Sequence, residues 1–168
     1  MQHEKSQRGF SLIELQIVVV IIGIIASIAI PNLLASRRAA NEASAQSSLR
    51  TVQSSEATYQ ATKGSGSYGT IADLRTNGFV DELLGGNGVS LTTNKSGYNF
   101  SATPIAGTPT TLPQFFATAM PTTIAPVFMS TGTRRFAIAD DGVLRCDTNV
   151  GVTPPDRASV ALMPLIGN

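Results

Sequence analysis

The stretch FSLIELQIVVVIIGIIASIAI fills residues 10–30, and Pro31 follows it directly. From Asn32 to Lys63 the composition turns to Ala, Ser and Gln with single charges, and neither Gly nor Pro appears until Gly64. Twenty-one helical residues rise about 1.5 Å each, or roughly 31 Å in all, which matches a hydrocarbon layer of about 30 Å. Ile and Val are mediocre helix formers in water, but in lipid every backbone N–H must find its partner within the segment, and that need overrides propensity. The 32–63 run carries Ala45, Leu49, Val52 and Tyr59 at spacings of four, three and seven, a narrow apolar stripe of helical period. One long helix over about 10–63 is predicted, oily in its first half and amphipathic in its second, with GSGSYG at 64–69 as its stop.

Beyond the stop the chain reads as β-rich. Thr70-Ile71-Ala72-Asp73 has the form of a capping box and opens a short helix, and FVDELL (79–84) reads as another helical turn. GYNFSA (97–102), FFATAM (115–120), RRFAIA (134–139) and VLRC (143–146) are strand candidates, with Tyr98 and Phe100 on one face of their strand and Phe136 and Ile138 on one face of theirs, and the apolar face of the resulting sheet is expected to cover the helix stripe. Asp141-Gly142 between the last two is a two-residue hairpin signal. The tail from Asp147 to Asn168, with Pro154, Pro155 and Pro164, reads as irregular. The predicted fold class is α+β: a long N-terminal spine helix packed against a C-terminal antiparallel β-sheet. The organisation is a leader at 1–9, a transmembrane or core helix half at 10–31, an amphipathic half at 32–63 and a globular head at 64–168.

Composition removes several chemistries. The only histidine is His3 and the only cysteine is Cys146. That leaves no Ser-His-Asp or Cys-His catalysis, no His-ligated zinc and no internal disulfide in a chain that loses its first residues. Asp81-Glu82 and Asp140-Asp141 read as a solvated helix end and a turn rather than as a catalytic pair. The net charge is +1 and the bases are scattered, so no nucleic-acid stripe is present and no specific nucleic acid is expected as a partner. No enzyme activity and no cofactor are expected.

Residues 1–31 admit four readings from their chemistry alone. They fit a plain membrane anchor, or a secretory signal with Ser27-Ile28-Ala29 as its small-x-small site. They fit the core helix of a soluble domain poorly, because residues 17–30 are apolar all round. In the fourth reading Glu14 has a task of its own, since a carboxylate in a bilayer costs a few kcal/mol on insertion scales, less near the end of a span.

Gly9, Phe10, Ser11, Leu12, Ile13 and Glu14, then the apolar run through Gly23 to Pro31, resemble the N-terminus of the type IV pilin family, which includes the pseudopilins of secretion systems. Ser11 stands where Thr is usual, and Gln16 where an apolar residue is usual. The resemblance implies cleavage after Gly9 by a prepilin peptidase on the cytoplasmic face and N-methylation of the new amine at Phe10. It implies a subunit held in the inner membrane by a single span among lipid. Assembly machinery in that membrane then moves it into a helical homopolymer, an extracellular surface filament of the kind used in adhesion or motility. Helices lie at the centre of such filaments and globular parts face outward. In that setting Glu14 pairs with the Phe10 amine of its own chain or of a neighbour, and a misregistered subunit would leave the charge unpaired, at about 3–5 kcal/mol. Glu14 is the expected register residue. Gly23 and Pro31 both weaken a helix, and the stretch between them, 24–30, is a candidate for kinking or melting. Removing the leader takes Lys5, Arg8 and Glu4 and leaves ten basic and ten acidic side chains.

The chain departs from the family at its C-terminus, where many pilins carry a disulfide and Cys146 stands alone. Major pseudopilins can bind calcium in an acidic C-terminal loop, and Asp140, Asp141 and Asp147, with Asp156, are weak oxygen-donor candidates without EF-hand spacing. The resemblance leaves a pilus subunit, a type II secretion pseudopilin and a minor pilin as the alternatives.

Overall fold

The computed structural model describes residues 9–85, 94–124, 129–151, 154 and 156–166. The leader except Gly9, and Pro155, lie outside the described residues. The chain divides into two compact units, Met1–Ala35 and Ser36–Asn168. Helix α1, Leu12–Thr62, contributes to both.

In the first unit the helix presents almost its whole circumference to its surroundings. Ile13, Ile17, Val20, Ile24 and Ile28 are each more than half exposed, and none of the most apolar window of the helix is buried. The helix runs through Gly23 and Pro31 without a break in its assignment. Pro31 has no N–H, so the Ser27 carbonyl lacks its helical donor there.

In the second unit α1 buries the predicted stripe: Ala45, Leu49 and Val52 are fully enclosed. Burying a Leu or Val of this kind contributes about 1.5–3 kcal/mol. Polar neighbours on the same side are enclosed as well, namely Glu42, Ser48, Ser55 and Glu56. The helix stops where the glycines begin: the Gly64 N–H returns to the Tyr59 carbonyl and the Gly66 N–H to the Gln60 carbonyl. Ser65 and Gly66 both adopt positive φ.

Short helix α2, Ile71–Thr76, starts with the expected capping box: the Thr70 hydroxyl accepts from Asp73 N–H and the Asp73 carboxylate accepts from Thr70 N–H. A single turn, α3, covers Glu82–Gly85. Strands β1 (Tyr98–Ile105), β2 (Gln114–Pro121), β3 (Arg135–Ala139) and β4 (Leu144–Asp147) form one antiparallel meander in the order β1-β2-β3-β4. Tyr98 and Phe100 of β1, Phe115, Ala117 and Ala119 of β2, and Phe136 and Ile138 of β3 share one core with the α1 stripe and with Leu74 and Leu84. Tyr98 stacks obliquely on Phe136 at 5.9 Å between ring centres, and Tyr68 on Phe115 at 4.7 Å. The sheet therefore covers the helix stripe, as the strand patterning requires.

Two features depart from the sequence reading. The β3–β4 connection at Asp141-Gly142 is wider than a two-residue hairpin, because four residues separate Ala139 from Leu144. Asp141 explains the extra width: its carboxylate accepts from Val143 N–H and Arg145, which builds a side-chain turn beside Gly142 at φ +73°.

The tail is ordered rather than irregular. Asp156 caps a short helix α4, Arg157–Ala161, by accepting from Ser159 N–H. Val160 and Met163 pack with Phe116, Ala137 and Ala139 on the second face of the sheet. Arg157 pairs with Asp140, Cys146 N–H donates to the Pro164 carbonyl, and Leu165 bridges to Arg145 along the free edge of β4. No period is legible in this helix, because it is five residues long and its apolar positions face the second side of a sheet whose first side packs on α1. At the opposite edge of the sheet, β1 carries Pro104.

Candidate functional site: the processing junction and the base of the spine helix

The sequence-predicted residues Gly9, Phe10, Ser11 and Glu14 lie together at the start of α1. Ser11 directly precedes the first helical residue, and Glu14 is the third residue of the helix. The Glu14 carboxylate accepts from Ser11 N–H at 2.8 Å, and Leu15 N–H donates to the Ser11 carbonyl. The carboxylate thus satisfies one of the donors a helix start leaves open, where the helix dipole favours a negative charge. Only one of its two oxygens is used among the described residues.

Phe10 is 95% exposed. A Cβ added at Gly9 would meet nothing within 4 Å, and its φ does not demand glycine. Gly23 is equally unconstrained by its own chain. Neither glycine is required by packing against the described residues. Pro31 lies eight residues beyond Gly23 in the same helix, and both positions are helical here.

The three acidic calcium candidates are not brought to one point: Asp140 and Asp141 lie at the β3–β4 turn, and Asp147 lies at the far end of that strand pair, opposite Arg135. Asp140 holds Arg157, Asp141 holds Arg145 at 2.7 Å, and Asp147 holds Arg135 at 2.7 Å. The guanidinium of Arg145 and the Val143 N–H hold Asp141 below the usual carboxylate range, against burial. The Asn149 N–H and then Arg135 do the same for Asp147. Among the described residues no cluster of three or more His, Cys, Asp or Glu side chains is placed to hold a metal.

Two buried carboxylates were not singled out by sequence reasoning. Glu42 accepts from Thr133 N–H, the Thr133 hydroxyl, and both Arg134 Nε and Nη2, all at 2.8–3.0 Å. Burial pushes its pKa up, but the Thr133 and Arg134 bonds outweigh it and hold the group below 4.5. This clamp fixes the approach to β3 against α1, and Asn41 adds a bond to the Thr131 carbonyl. Glu56 is fully enclosed and has no such saturation: one oxygen accepts from Gly69 N–H and the other has no partner among the described residues. The signal for both was the helical spacing itself. Glu42 lies three residues before Ala45 and Glu56 four after Val52, on the apolar stripe.

The description "Prokaryotic N-terminal methylation motif" matches residues 5–30. The chain thus carries that motif at the head of a pilin-like α+β fold, a long helix on a four-stranded antiparallel sheet. Its distant homologues include the type II secretion system core protein G of Dickeya chrysanthemi, 39% identical over 51 residues, or 30% of this chain and 33% of that protein. The core protein G of Escherichia coli is 41% identical over 49 residues, 29% of this chain and 34% of that protein. The type IV wide pilus major component PilA4 of Thermus thermophilus is 55% identical over 38 residues, 23% of this chain and 29% of that protein. The chain spans about a third of the length of the curated relatives it matches. No solved structure gives a significant match.

Proposed function

We propose that this chain is the structural subunit of a type IV pilus. It is held in the inner membrane by α1, cleaved after Gly9 by a prepilin peptidase, N-methylated at Phe10 and polymerised by membrane assembly machinery into a surface filament. The observation that carries this reading is the pairing of an uncovered apolar helix with a processing junction whose glycine the monomer does not need. An apolar face of this length in water would cost tens of kcal/mol, so lipid or copies of the same helix must cover it. Glu14 is then the group that reads register. Cleavage turns the Phe10 nitrogen into an amine one turn away, within reach of the carboxylate oxygen not used for the helix start. Gly23 and Pro31 give the apolar half its points of weakness.

The pseudopilin of a type II secretion system is the second reading, favoured by the matches to core protein G. Against the calcium-loop form of that reading, each of Asp140, Asp141 and Asp147 already holds an arginine, so an ion there would have to displace all three. Material sheared from cells distinguishes the readings. A chain beginning at N-methylated Phe10, recovered in long fibres, supports the pilus subunit. The same N-terminus without fibres, with lost enzyme secretion on deletion, supports the pseudopilin, and scarce copies within a fibre made mostly of another subunit support a minor pilin. A chain beginning at Ile30 overturns the whole reading.

A further inference from the structure

Glu56 sits on the core side of α1, fully enclosed, four residues after Val52. Its Oε2 accepts from Gly69 N–H at 3.0 Å, and its Oε1 has no partner among the described residues. Gly69 immediately precedes Thr70, the cap of α2, so this bond ties the far end of the loop back onto the spine helix, as the Gln60 Nε2 bond to the Gly66 carbonyl ties its near end. The loop lies close: a Cβ at Gly69 would stand 2.9 Å from the Tyr59 ring and 3.1 Å from Asp73 Cβ.

No arginine or lysine among the described residues pairs with Glu56. The ionisable groups around it come from three elements. Tyr59 is on its own helix, Tyr68 is in the loop, and Asp73 is in the first turn of α2. Asp140 at the end of β3 acts on Tyr68 from the sheet side. The charge that acts on Glu56 itself, Asp73, is negative, and Asp140 is paired with Arg157. A buried carboxylate with one hydrogen bond, no cation and a carboxylate neighbour is a poor place for a second negative charge, whereas a neutral carboxyl fits it.

We propose that Glu56 is a proton-operated latch: neutral, it holds the 64–70 loop and the start of α2 on the spine helix, and ionised, it lets them go. Burial first, and then Asp73, push its pKa from 4.5 up to about 7, against the pull of the Gly69 N–H. A carboxyl raised in the folded state contributes stability that is complete below its unfolded value and is lost as pH rises towards the folded one. The window is therefore about pH 4.5 to 7. Opening a glycine-flanked loop hydrates the charge at less cost than opening the sheet, so the effect stays local.

The test uses the full chain in detergent micelles and reads amide protection by hydrogen exchange, corrected for intrinsic rate. Between about pH 5 and about pH 8, protection at Gly69 is expected to fall tenfold or more while Phe136 in β3 keeps its own. In Glu56→Gln, which keeps an acceptor but cannot ionise, Gly69 protection is expected to stay flat. Equal loss at Gly69 in both proteins, no loss in the wild type, or a parallel loss at Phe136 would overturn the latch. Should Glu56→Gln fail to fold, the Glu56 side-chain carboxyl is titrated directly by carbon NMR in the wild type. A midpoint in the ordinary carboxylate range then rejects the proposal, and one near neutrality sustains it.

Discussion

Glu42 and Glu56 lie on the same side of one helix and respond to acid in opposite directions. Glu42 is saturated by four donors and held below 4.5, so its contribution is complete above that value and is lost as pH falls through its folded pKa. Replacing it by Gln should cost about 2–4 kcal/mol, because Arg134 and the Thr133 N–H lose a charged acceptor. Acid denaturation followed by circular dichroism should show the variant with a shallower loss below pH 4.5 than the wild type. Glu14 has a different kind of role, because its bond to Ser11 N–H stabilises only a helix start. Glu14→Ala should therefore insert in the membrane normally, at a helix cost near 1 kcal/mol, yet give few filaments. Fractionation with electron microscopy reads both, and wild-type fibre yield from Glu14→Ala would remove Glu14 from register.

At the scale of elements, the helix and its stripe were legible because periodicity and burial coincide at Ala45, Leu49 and Val52. Leu49→Ala should lower head stability by about 2–5 kcal/mol in thermal unfolding, since the side chain is wholly enclosed by helix and sheet. The strands were legible for the same reason: Phe136 and Ile138 alternate out of step with Ala137 and Ala139, and each set finds its own core. What stayed hidden was set by long-range partners. The start of α4 depends on Asp156 as its cap and on Arg157 pairing with Asp140, seventeen residues away in sequence, and no local pattern reveals that pair. Gly132 is another case. A Cβ there would collide with the Tyr98 hydroxyl, which must stay where it donates to the Arg134 carbonyl at 2.8 Å. Gly132→Ala should destabilise the head by more than 1 kcal/mol, and a second change of Tyr98→Phe should recover part of the loss, because it removes the colliding oxygen.

The whole molecule combines a helix half that needs covering with a head that covers itself. Six ion pairs in the described head neutralise most of its charge, and residues 10–168 carry equal numbers of bases and acids. A neutral subunit can be stacked in thousands of copies without long-range repulsion. Intact mass and N-terminal sequence of sheared material should agree on a chain starting at methylated Phe10, and an uncleaved Met1 or a start at Ile30 would contradict that route. Breaking the pair of Asp140 with Arg157 should matter too: Asp140→Asn should loosen α4 and raise protease cutting after Arg157.

The short pairing of the tail against β4, with the Cys146 N–H held by the Pro164 carbonyl, reaches beyond the stability of one head. A sheet with a bare border is a template on which any other extended chain can lie down, and crowding makes that encounter frequent. A protein that accumulates at high local concentration has to polymerise by one geometry and refuse all others. Here the tail occupies one border and Pro104, with no N–H to offer, interrupts the other. Cutting the chain before Asp156 should therefore yield heads that clump into thioflavin-binding aggregates rather than heads that are merely less stable.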